Sequence, residues 1–333
     1  MAASSRARLE VPAVTALVSV VIPTYNVERY IEQTLQSVLA QSHCELEVVV
    51  VDDGSSDRTR DLVAAVAAAD HRVRLVTQAN QGVCVARNRG LAESRGAFLC
   101  FLDHDDWWAP WKLTEQLTAF GRVPDAGVVF SDFLNWFPSD SGFAEPASVL
   151  PVLEGVPAHD SEFSGWIYHQ FLVDCWALTS TAMIRRSALD SAGAFDPALP
   201  YSEDWDLWLR LSVQVPFVKL AVVSTLYRQH PEQGNRKLRE VDYRTRLLES
   251  NAARHGLASR DGRKLDRERF AQNLARYHMQ FGLHLLEHGQ RRVAISAFAR
   301  AWRHDPARLK YGALIAAATL GWKPRAAALG GAT

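Results

Sequence analysis

The first hundred residues alternate between apolar runs of strand length and segments whose apolar residues recur at helical spacing. The strand candidates are Leu17 to Ile22, Leu46 to Val51, Val73 to Val76 and Ala97 to Leu102. The helical positions are Val27, Ile31, Leu35, Val38 and Leu39, then Leu62, Val63 and Val66, then the run from Val83 to Ser94. This βαβαβαβ order predicts an α/β fold with a mostly parallel sheet sandwiched by helices.

The pattern is less regular after the fourth strand. A helix is predicted from about Pro110 to Phe120 and a strand from Gly127 to Phe130, followed by an irregular stretch from Ser131 to about Ser164. A loop of that length inside a compact domain is usually functional or flexible. Its aromatic residues, among them Trp136, Phe137 and Phe163, favour a flap that covers a substrate. Short helices and strands are predicted from Gly165 to His230.

The last hundred residues are predicted to be almost wholly helical. A helix, a glycine turn, a second helix and a proline stop are outlined by Tyr277, Gly282, Leu285, Gly289, Ala294, Phe298, Ala301 and Pro306. This pattern resembles a single tetratricopeptide-type hairpin, which cannot bury its apolar face alone. We therefore expect it to pack on the α/β domain or to bind a protein partner.

Composition sets the broad class of the protein. The chain has 333 residues, of which 48% are hydrophobic, so it can bury a full core and carry an appendage. Its formal net charge is zero, so no basic field attracts nucleic acid or an anionic membrane. The four cysteines lack metal-ligand spacing and are expected to be reduced, buried thiols of a cytoplasmic protein: Cys44, Cys84, Cys100 and Cys175.

No segment is long enough to be predicted as a transmembrane helix. The best candidate, from Leu309 to Trp322, has 14 residues including Lys310, whereas a spanning helix needs about 20 apolar residues. It is predicted to be a terminal packing helix, with a peripheral position at the inner membrane face as the alternative. We divide the chain into a flexible tail without a hydrophobic signal core (1–16), a catalytic domain (17–235) and a helical extension (236–333).

Three carboxylates crowd into four positions where the fourth strand ends: Asp103, Asp105 and Asp106. Carboxylates this close raise one another's pKa unless a cation lies between them, so the cluster predicts a divalent metal with oxygen ligands. A metal at the carboxyl end of a strand indicates a substrate that carries phosphate. The alternative is a solvated acidic cap on the next helix, with Pro110 in its first turn.

Polar residues also follow the first two strands. Pro23, Thr24 and Tyr25 end the first strand, and Asp52 and Asp53 end the second. Ligands of open α/β sheets bind in the crevice outside the carboxyl ends of the strands, so the three loops are expected to converge on one site. Asp52 precedes a glycine and is predicted to set the turn rather than to contact a ligand.

Four motifs together carry a resemblance to a known family: VSVVIPTYNVERYIEQTLQSVLAQ, VVVVDDGSSD, NQGVCVARNRGLAESRGAFLCFLDHDDWW and YSEDWDLWLRL. Over roughly residues 17–230 the chain resembles the inverting family 2 glycosyltransferases of the nucleotide-diphospho-sugar transferase (GT-A type) fold. The resemblance implies metal-dependent transfer of a sugar from a nucleotide-diphospho-sugar, expected to be UDP-linked, to an acceptor hydroxyl. The acceptor would be a carbohydrate, a lipid-linked molecule or a protein, in glycan or cell-surface polysaccharide synthesis.

The resemblance also assigns roles on the donor side. Pro23, Thr24 and Tyr25 correspond to the loop beside the nucleoside, and Asp53 to the carboxylate that accepts a hydrogen bond from the base, usually uracil. Arg87 and Asn88 correspond to residues near the diphosphate and the sugar. By itself, Arg87 on its helix could also be only a solvated charge.

Metal and catalytic roles follow in the same way. Asp103 and Asp105 match the Asp-x-Asp motif that holds Mn²⁺ or Mg²⁺. Arg228 and His230 resemble a late segment that closes over the diphosphate, with His230 as a further metal ligand candidate. Asp204 matches the general base that takes the proton of the acceptor hydroxyl.

Helical spacing gives an independent reason to single out Asp204. In a helix from Glu203 to Gln214, Asp204 shares the inward face with three large apolar residues, Leu207, Trp208 and Leu211. Glu203, Asp206 and Arg210 would lie on the solvated side, with Asp206 and Arg210 spaced for an ion pair. The helix dipole is expected to keep Asp204 ionised. The alternative role for Asp204 is a cap that only stabilises the helix.

Other functions account for fewer of the motifs. A phosphoacceptor receiver domain would place its paired aspartates after the first strand, and here they follow the second. A processive polysaccharide synthase would need spanning helices or a Gln-x-x-Arg-Trp motif, which the sequence lacks. A catalytically inactive nucleotide-sugar-binding or helical interaction protein remains the alternative to an enzyme.

Overall fold

The protein is described here by a computed structural model that covers residues 16–234 and 238–322. The predicted N-terminal tail lies outside the described residues except for residue 16. The chain divides into two compact units: residues up to 167 together with 175–230, and residues 168–174 together with those from 231 onward. Residues 168–174, placed by the sequence in the catalytic segment, therefore group with the helical unit.

One eight-stranded sheet forms the centre of the first unit. Its strands are β1 (Val18–Thr24), β2 (Leu46–Asp52), β3 (Val73–Thr77), β4 (Phe98–Phe101), β5 (Trp107–Trp108), β6 (Val128–Trp136), β7 (Met183–Arg185) and β8 (Phe217–Arg228), in the order β3-β2-β1-β4-β7-β6-β8-β5. Strands β3, β2, β1 and β4 run parallel, as do β6 and β8, whereas β7 and β5 are antiparallel to their neighbours. The predicted mostly parallel α/β fold is confirmed.

Helices of the first unit connect these strands. They are α1 (Ile31–Leu39), α2 (Thr59–Ala69), α3 (Val83–Glu93), α4 (Lys112–Arg122), α5 (Pro146–Val149), α7 (Arg186–Ala192) and α8 (Glu203–Ser212), with a 3₁₀ turn at Thr179–Thr181. The predicted helices α1 to α4 are all present. On α3, Gly90 lets the helix approach the sheet, because a Cβ there would lie 2.3 Å from Cγ1 of Val21.

The predicted irregular stretch begins too early. Residues 131–136 continue β6, which pairs with β8 through an irregular register around Asp132. Trp136, expected in a flap, ends β6 and is 2% exposed. Phe137 is exposed, and Phe163 packs on Trp176 with ring centroids 4.7 Å apart. The two-residue strand β5 was also not predicted.

The second unit consists of α6 (Tyr168–Phe171), α9 (Tyr243–His255), α10 (Arg267–Glu287), α11 (Arg291–His304) and α12 (Lys310–Thr319). Gly289, with a φ of +79°, forms the predicted turn between α10 and α11. A Cβ at Gly282 would meet the ring of Phe298 at 2.5 Å, so this glycine lets the two helices pack closely. The predicted helical hairpin is therefore present.

Two further sequence expectations concern thiols and membranes. All four cysteines are free, as expected, but only Cys84 and Cys100 are buried, whereas Cys44 is exposed and Cys175 is half-buried. Across the part of the chain that the structure describes, every helix is too short or too polar to cross a membrane.

Candidate active site

The loops after β1, β2 and β4 meet at the carboxyl edge of the sheet, as predicted. The backbone N–H of Asp53 donates to the carbonyl of Thr24 at 2.8 Å, which joins the first two loops. His104, in the loop after β4, contacts the carbonyl of Pro23 through Nδ1 at 2.9 Å. Tyr25, at the end of this edge, is 46% exposed and can face a ligand.

Asp53 lies buried among hydrogen-bond donors. Its carboxylate accepts from Nε2 of Gln78 at 2.8 Å and from the backbone N–H groups of Gln81 and Gly82 at 2.9 and 2.8 Å. An ionised carboxylate can accept about four hydrogen bonds, so capacity for one more remains. The role of Asp53 toward a base stays a prediction. Asp52 accepts from the backbone N–H of Ser55 at 3.3 Å, as expected of a residue that sets the turn.

Arg87 is a buried bridge between two acids. It is 3% exposed, and its two terminal nitrogens donate to Asp103 Oδ1 and Glu203 Oε1, each at 2.7 Å. The alternative of a solvated charge is therefore wrong. Burial opposes its charge, but Asp103 and Glu203 more than compensate and raise the pKa of Arg87 above its ordinary value. Arg87 thus connects the acidic cluster to the first turn of α8.

Asn88 has a different environment from that of its neighbour Arg87. Its side-chain amide donates to the carbonyl of Phe195 at 2.8 Å and accepts from the N–H of the same residue at 3.0 Å. Both polar atoms of the amide are thereby used to hold the segment that leads toward α8. Its expected position near the diphosphate and the sugar stays a prediction.

The acidic cluster is largely buried, which excludes the solvated-cap alternative for two of its members. Asp105 and Asp106 are 8% and 1% exposed, and only the side chain of Asp103 is substantially accessible. Burial, followed by the charges of Asp105 and Asp103, raises the pKa of Asp106 well above its ordinary value. The neighbouring carboxylates thus disfavour the ionised form of Asp106, and a cation beside them would offset that repulsion.

His230 is brought to the acidic cluster from the end of β8. Its Nε2 lies 2.8 Å from Oδ2 of Asp105. Burial alone would raise the pKa of Asp105, but the hydrogen bond from His230 and the charges of His104 and His230 hold it below its ordinary value. The structure thus brings His230 to Asp105, whereas Arg87 holds Asp103. The oxygen and nitrogen donors of these three residues would suit Mn²⁺, and their metal role stays a prediction.

Arg228 contacts the loop that carries Asp105. Its Nε donates to the backbone carbonyl of Asp105 at 2.6 Å, and one terminal nitrogen donates to Gln33 at 2.6 Å. The guanidinium lies 4.1–4.6 Å from the ring centroids of three aromatic residues, Tyr30, Trp136 and Phe143. Since Arg228 is only 2% exposed, it positions Asp105 in this structure, and contact with a diphosphate stays a prediction.

Asp204 is the second residue of α8 and is half-buried, like Glu203 and Asp206, so burial does not single it out among the three acids of this turn. Leu207, Trp208 and Leu211 are fully buried, and Asp206 pairs with Arg210 at 2.8 Å. The preceding Ser202 has a left-handed φ of 63°, which is uncommon for a residue with a side chain. The carboxylate of Asp204 accepts from the N–H of Trp205 at 2.7 Å.

Two expectations about this helix were wrong. Glu203 is not a solvated neighbour, because its carboxylate pairs with Arg87. Asp204 is not held fully ionised by the helix dipole, because burial, followed by the charge of Glu203, raises its pKa to about 7. Desolvation and a like charge therefore outweigh the dipole at this position.

Ser180 is a residue of the site that sequence reasoning missed. Its hydroxyl donates to Oδ2 of Asp106 at 2.5 Å and accepts from the backbone N–H of Asp103 at 3.1 Å. It lies in the short 3₁₀ turn, more than 70 residues from the acids that it contacts. No local sequence signal marks it.

Comparisons with known proteins bear on the family and the fold of the chain. Residues 19–136 match the family model described as glycosyl transferase family 2. The uncharacterized glycosyltransferase EpsJ of Bacillus subtilis is 41% identical over 235 residues, which are 70% of this chain and 66% of EpsJ. The chain spans less than two thirds of the length of the curated relatives that it matches.

Two solved structures share the fold. S. aureus TarS 1-349 in complex with UDP-GlcNAc has a TM-score of 0.59 at 20% identity, covering 91% of this chain and 87% of TarS 1-349. The mannosyltransferase PcManGT of Pyrobaculum calidifontis, in complex with GDP-Man and Mn²⁺, has a TM-score of 0.53 at 22% identity, covering 92% and 80%. At these identities the likeness shows the fold alone.

Proposed function

The chain belongs to glycosyl transferase family 2 through residues 19–136, and from that premise we propose that it transfers a sugar from a nucleotide-diphospho-sugar to an acceptor hydroxyl, with inversion. One observation carries the proposal. Arg87 bridges Asp103 of the acidic cluster and Glu203, whose neighbour is Asp204. The groups suited to holding a diphosphate and the group suited to removing a proton are thereby fixed in one network.

The donor side of the reaction is assigned to the acidic cluster. Asp103, Asp105 and His230 would hold Mn²⁺ or Mg²⁺, and the repulsion that Asp105 and Asp103 exert on Asp106 supports a cation there. The Mn²⁺ in PcManGT lends further support. A bound divalent ion supplies Lewis-acid stabilisation of the charge that develops on the departing nucleoside diphosphate.

Asp204 is assigned the role of general base. In its ionised form, its carboxylate takes the proton of the acceptor hydroxyl while the oxygen bonds to the anomeric carbon and the bond from that carbon to the diphosphate breaks. Attack opposite the leaving group inverts the anomeric configuration. A pKa of about 7 makes the carboxylate a stronger base than an ordinary aspartate while keeping it about half ionised at neutral pH.

The nucleoside is proposed to be uridine. Pro23, Thr24 and Tyr25 line the carboxyl edge next to Asp53, whose carboxylate retains acceptor capacity for the N3–H of uracil. The UDP-GlcNAc bound by TarS supports a UDP-linked donor. An acceptor of the carbohydrate, lipid-linked or protein class, a part in glycan or cell-surface polysaccharide synthesis and a cytoplasmic location, peripheral to the membrane or not, stay predictions.

A thermal-stability screen of UDP-, GDP- and dTDP-sugars with Mn²⁺ tests the proposal. A cognate donor at about 100 times its dissociation constant adds roughly 2.7 kcal/mol of stability. The donor that stabilises the protein should then be consumed by the wild type when acceptors are supplied, with release of the nucleoside diphosphate. Absence of stabilisation by every nucleotide sugar would remove the donor class from the proposal.

A further inference from the structure

The second unit holds its own group of metal-binding side chains. Glu249 of α9, His278 of α10 and His304 at the end of α11 present one ligand atom each, and these atoms lie within 4.8 Å of one another. Oε1 of Glu249 is 3.6 Å from Nε2 of His304. The two imidazole rings are stacked, with centroids 5.4 Å apart and planes at 23°. Three different helices thus contribute to one cluster.

Asp242 orients one of the two histidines. Its Oδ2 lies 2.8 Å from Nδ1 of His278, and its Oδ1 caps α9 by accepting from the N–H of Thr245 at 3.3 Å. His278 is 3% exposed, so its ring is fixed, with Nε2 as the nitrogen that can bind an ion. Metal-binding histidines almost always contact a carboxylate or carbonyl through their other ring nitrogen.

We propose that Glu249, His278 and His304 form a Zn²⁺ site that joins α9, α10 and α11. Two imidazoles and one carboxylate are a donor set typical of zinc, and three protein ligands leave a fourth position for water. At bond lengths near 2.1 Å, tetrahedral ligands lie about 3.4 Å apart, close to the separation of Glu249 and His304. The side chain of Glu249 is 48% exposed, so it can adjust as an ion enters.

Charge supports the same assignment. Glu249 and Asp242 bring two carboxylates to the cluster, and a divalent cation on neutral imidazoles balances both. Mg²⁺ and Ca²⁺ prefer all-oxygen ligand sets, so a site with two histidines selects a transition metal over them. The site proposed here is therefore chemically different from the acidic cluster around Asp105.

A second group of potential metal ligands, on α10 alone, serves as a control. His284, Glu287 and His288 of α10 also place three ligand atoms close together, but they all lie on one helix and are more exposed than His278. A surface pair of this kind could bind a metal without joining helices. Substitution of His288 distinguishes metal binding at the two groups, because it leaves Glu249, His278 and His304 intact.

The experiment titrates the full chain, freed of metal by chelation, with Co²⁺ in excess Mg²⁺, which occupies oxygen-ligand sites. We expect one Co²⁺ per chain with the visible absorption of a four-coordinate site containing imidazole, and displacement of Co²⁺ by Zn²⁺. His304→Gln and Glu249→Gln should each weaken Zn²⁺ binding by at least tenfold. Asp242→Asn keeps a capping oxygen and should weaken it by about 10- to 100-fold.

Two results would overturn the proposal. One is the absence of Co²⁺ binding under these conditions. The other is a Co²⁺ affinity that His304→Gln and Glu249→Gln both leave unchanged, which would place the ion elsewhere, and on the surface of α10 if His288→Gln abolishes binding. Circular dichroism of each variant checks that the helices are retained, and the partly exposed positions of Glu249 and His304 make them the safer substitutions.

Discussion

The hydroxyl of Ser180 donates a 2.5 Å hydrogen bond to Oδ2 of Asp106. The hydroxyl oxygen of Ser180 also accepts from the backbone N–H of Asp103 at 3.1 Å, so one side chain holds both ends of the acidic cluster. The arrangement fixes Asp106 in the interior, where its raised pKa reflects burial and the charges of its neighbours. Ser180 therefore acts on the proposed metal site by positioning the loop rather than by contact with a ligand.

Ser180→Ala should loosen this loop. The change leaves a buried N–H and a buried carboxylate oxygen without a partner, which costs about 1–3 kcal/mol of unfolding free energy. Mn²⁺ affinity should fall as well, because Asp103 and Asp105 are less firmly placed. Ser131→Ala is the matched control, since Ser131 is equally buried and bonds Ser224 at 2.5 Å. Equal losses of Mn²⁺ affinity in the two variants would contradict a positioning role.

Metal dependence gives a second prediction. Excess EDTA should abolish transfer, and Asp105→Ala should weaken donor binding about tenfold or more when Mn²⁺ is present but not when it is absent. Calorimetry of donor binding with and without Mn²⁺ measures this difference. Asp132→Ala is the control, because Asp132 pairs with Lys219 at 2.9 Å on β6. Full activity in EDTA would show that no metal takes part.

The sequence predicts those features of the fold that depend on neighbouring residues, and it misses those that depend on residues far away in the chain. Strands β1, β2 and β4 were found because continuous β-branched or apolar runs require burial on both faces. The aspartates that follow them were found because the runs end there. The continuation of β6 through Asp132 was missed, since its polar residues become strand only by pairing with β8, more than 80 residues later.

The chemistry of the site shows the same limit. The aromatic residues around Arg228 come from the N-cap position of α1, from β6 and from the loop after β6, and no sequence period connects them. Helical spacing places Leu207, Trp208 and Leu211 correctly in the core, but the pKa of Asp204 depends on burial and on Glu203, which spacing does not report. The elements that carry these residues were therefore predictable from the sequence, whereas the protonation and the partners of the residues required the fold.

Base recognition is the third prediction. If Asp53 accepts the N3–H of uracil, UDP should bind more tightly than CDP, because cytosine presents an acceptor at that position and leaves the buried carboxylate unpaired. The expected difference is about 1–3 kcal/mol, or roughly 5- to 150-fold in dissociation constant. Calorimetry with both nucleotides measures it, and equal affinities would mean that Asp53 serves only the loop at Gln81 and Gly82.

The pH dependence of stability is a fourth prediction. The pKa of Asp204 is about 7 in the folded protein and near 3.8 when unfolded, so the folded state binds the proton more tightly. The contribution of Asp204 to the free energy of unfolding is therefore largest below pH 4. It falls as the pH rises toward 7, by at most about 1.4 kcal/mol per pH unit. Denaturant titrations of wild type and Asp204→Asn should differ by this slope. A constant difference between them across pH 4–7 would contradict the raised pKa.

The last prediction concerns the reaction itself. Asp204→Asn keeps the oxygen that accepts from the N–H of Trp205 but cannot take a proton, so it should fold and bind donor normally. Its transfer rate should fall by on the order of a hundredfold or more. In the wild type, kcat should rise as the pH passes through about 7, because Asp204 ionises there. The variant should not show this rise. Asp206→Asn, which breaks only the ion pair with Arg210, should retain both the rate and the pH profile. A near-normal rate from folded Asp204→Asn would assign Asp204 to structure and require another base.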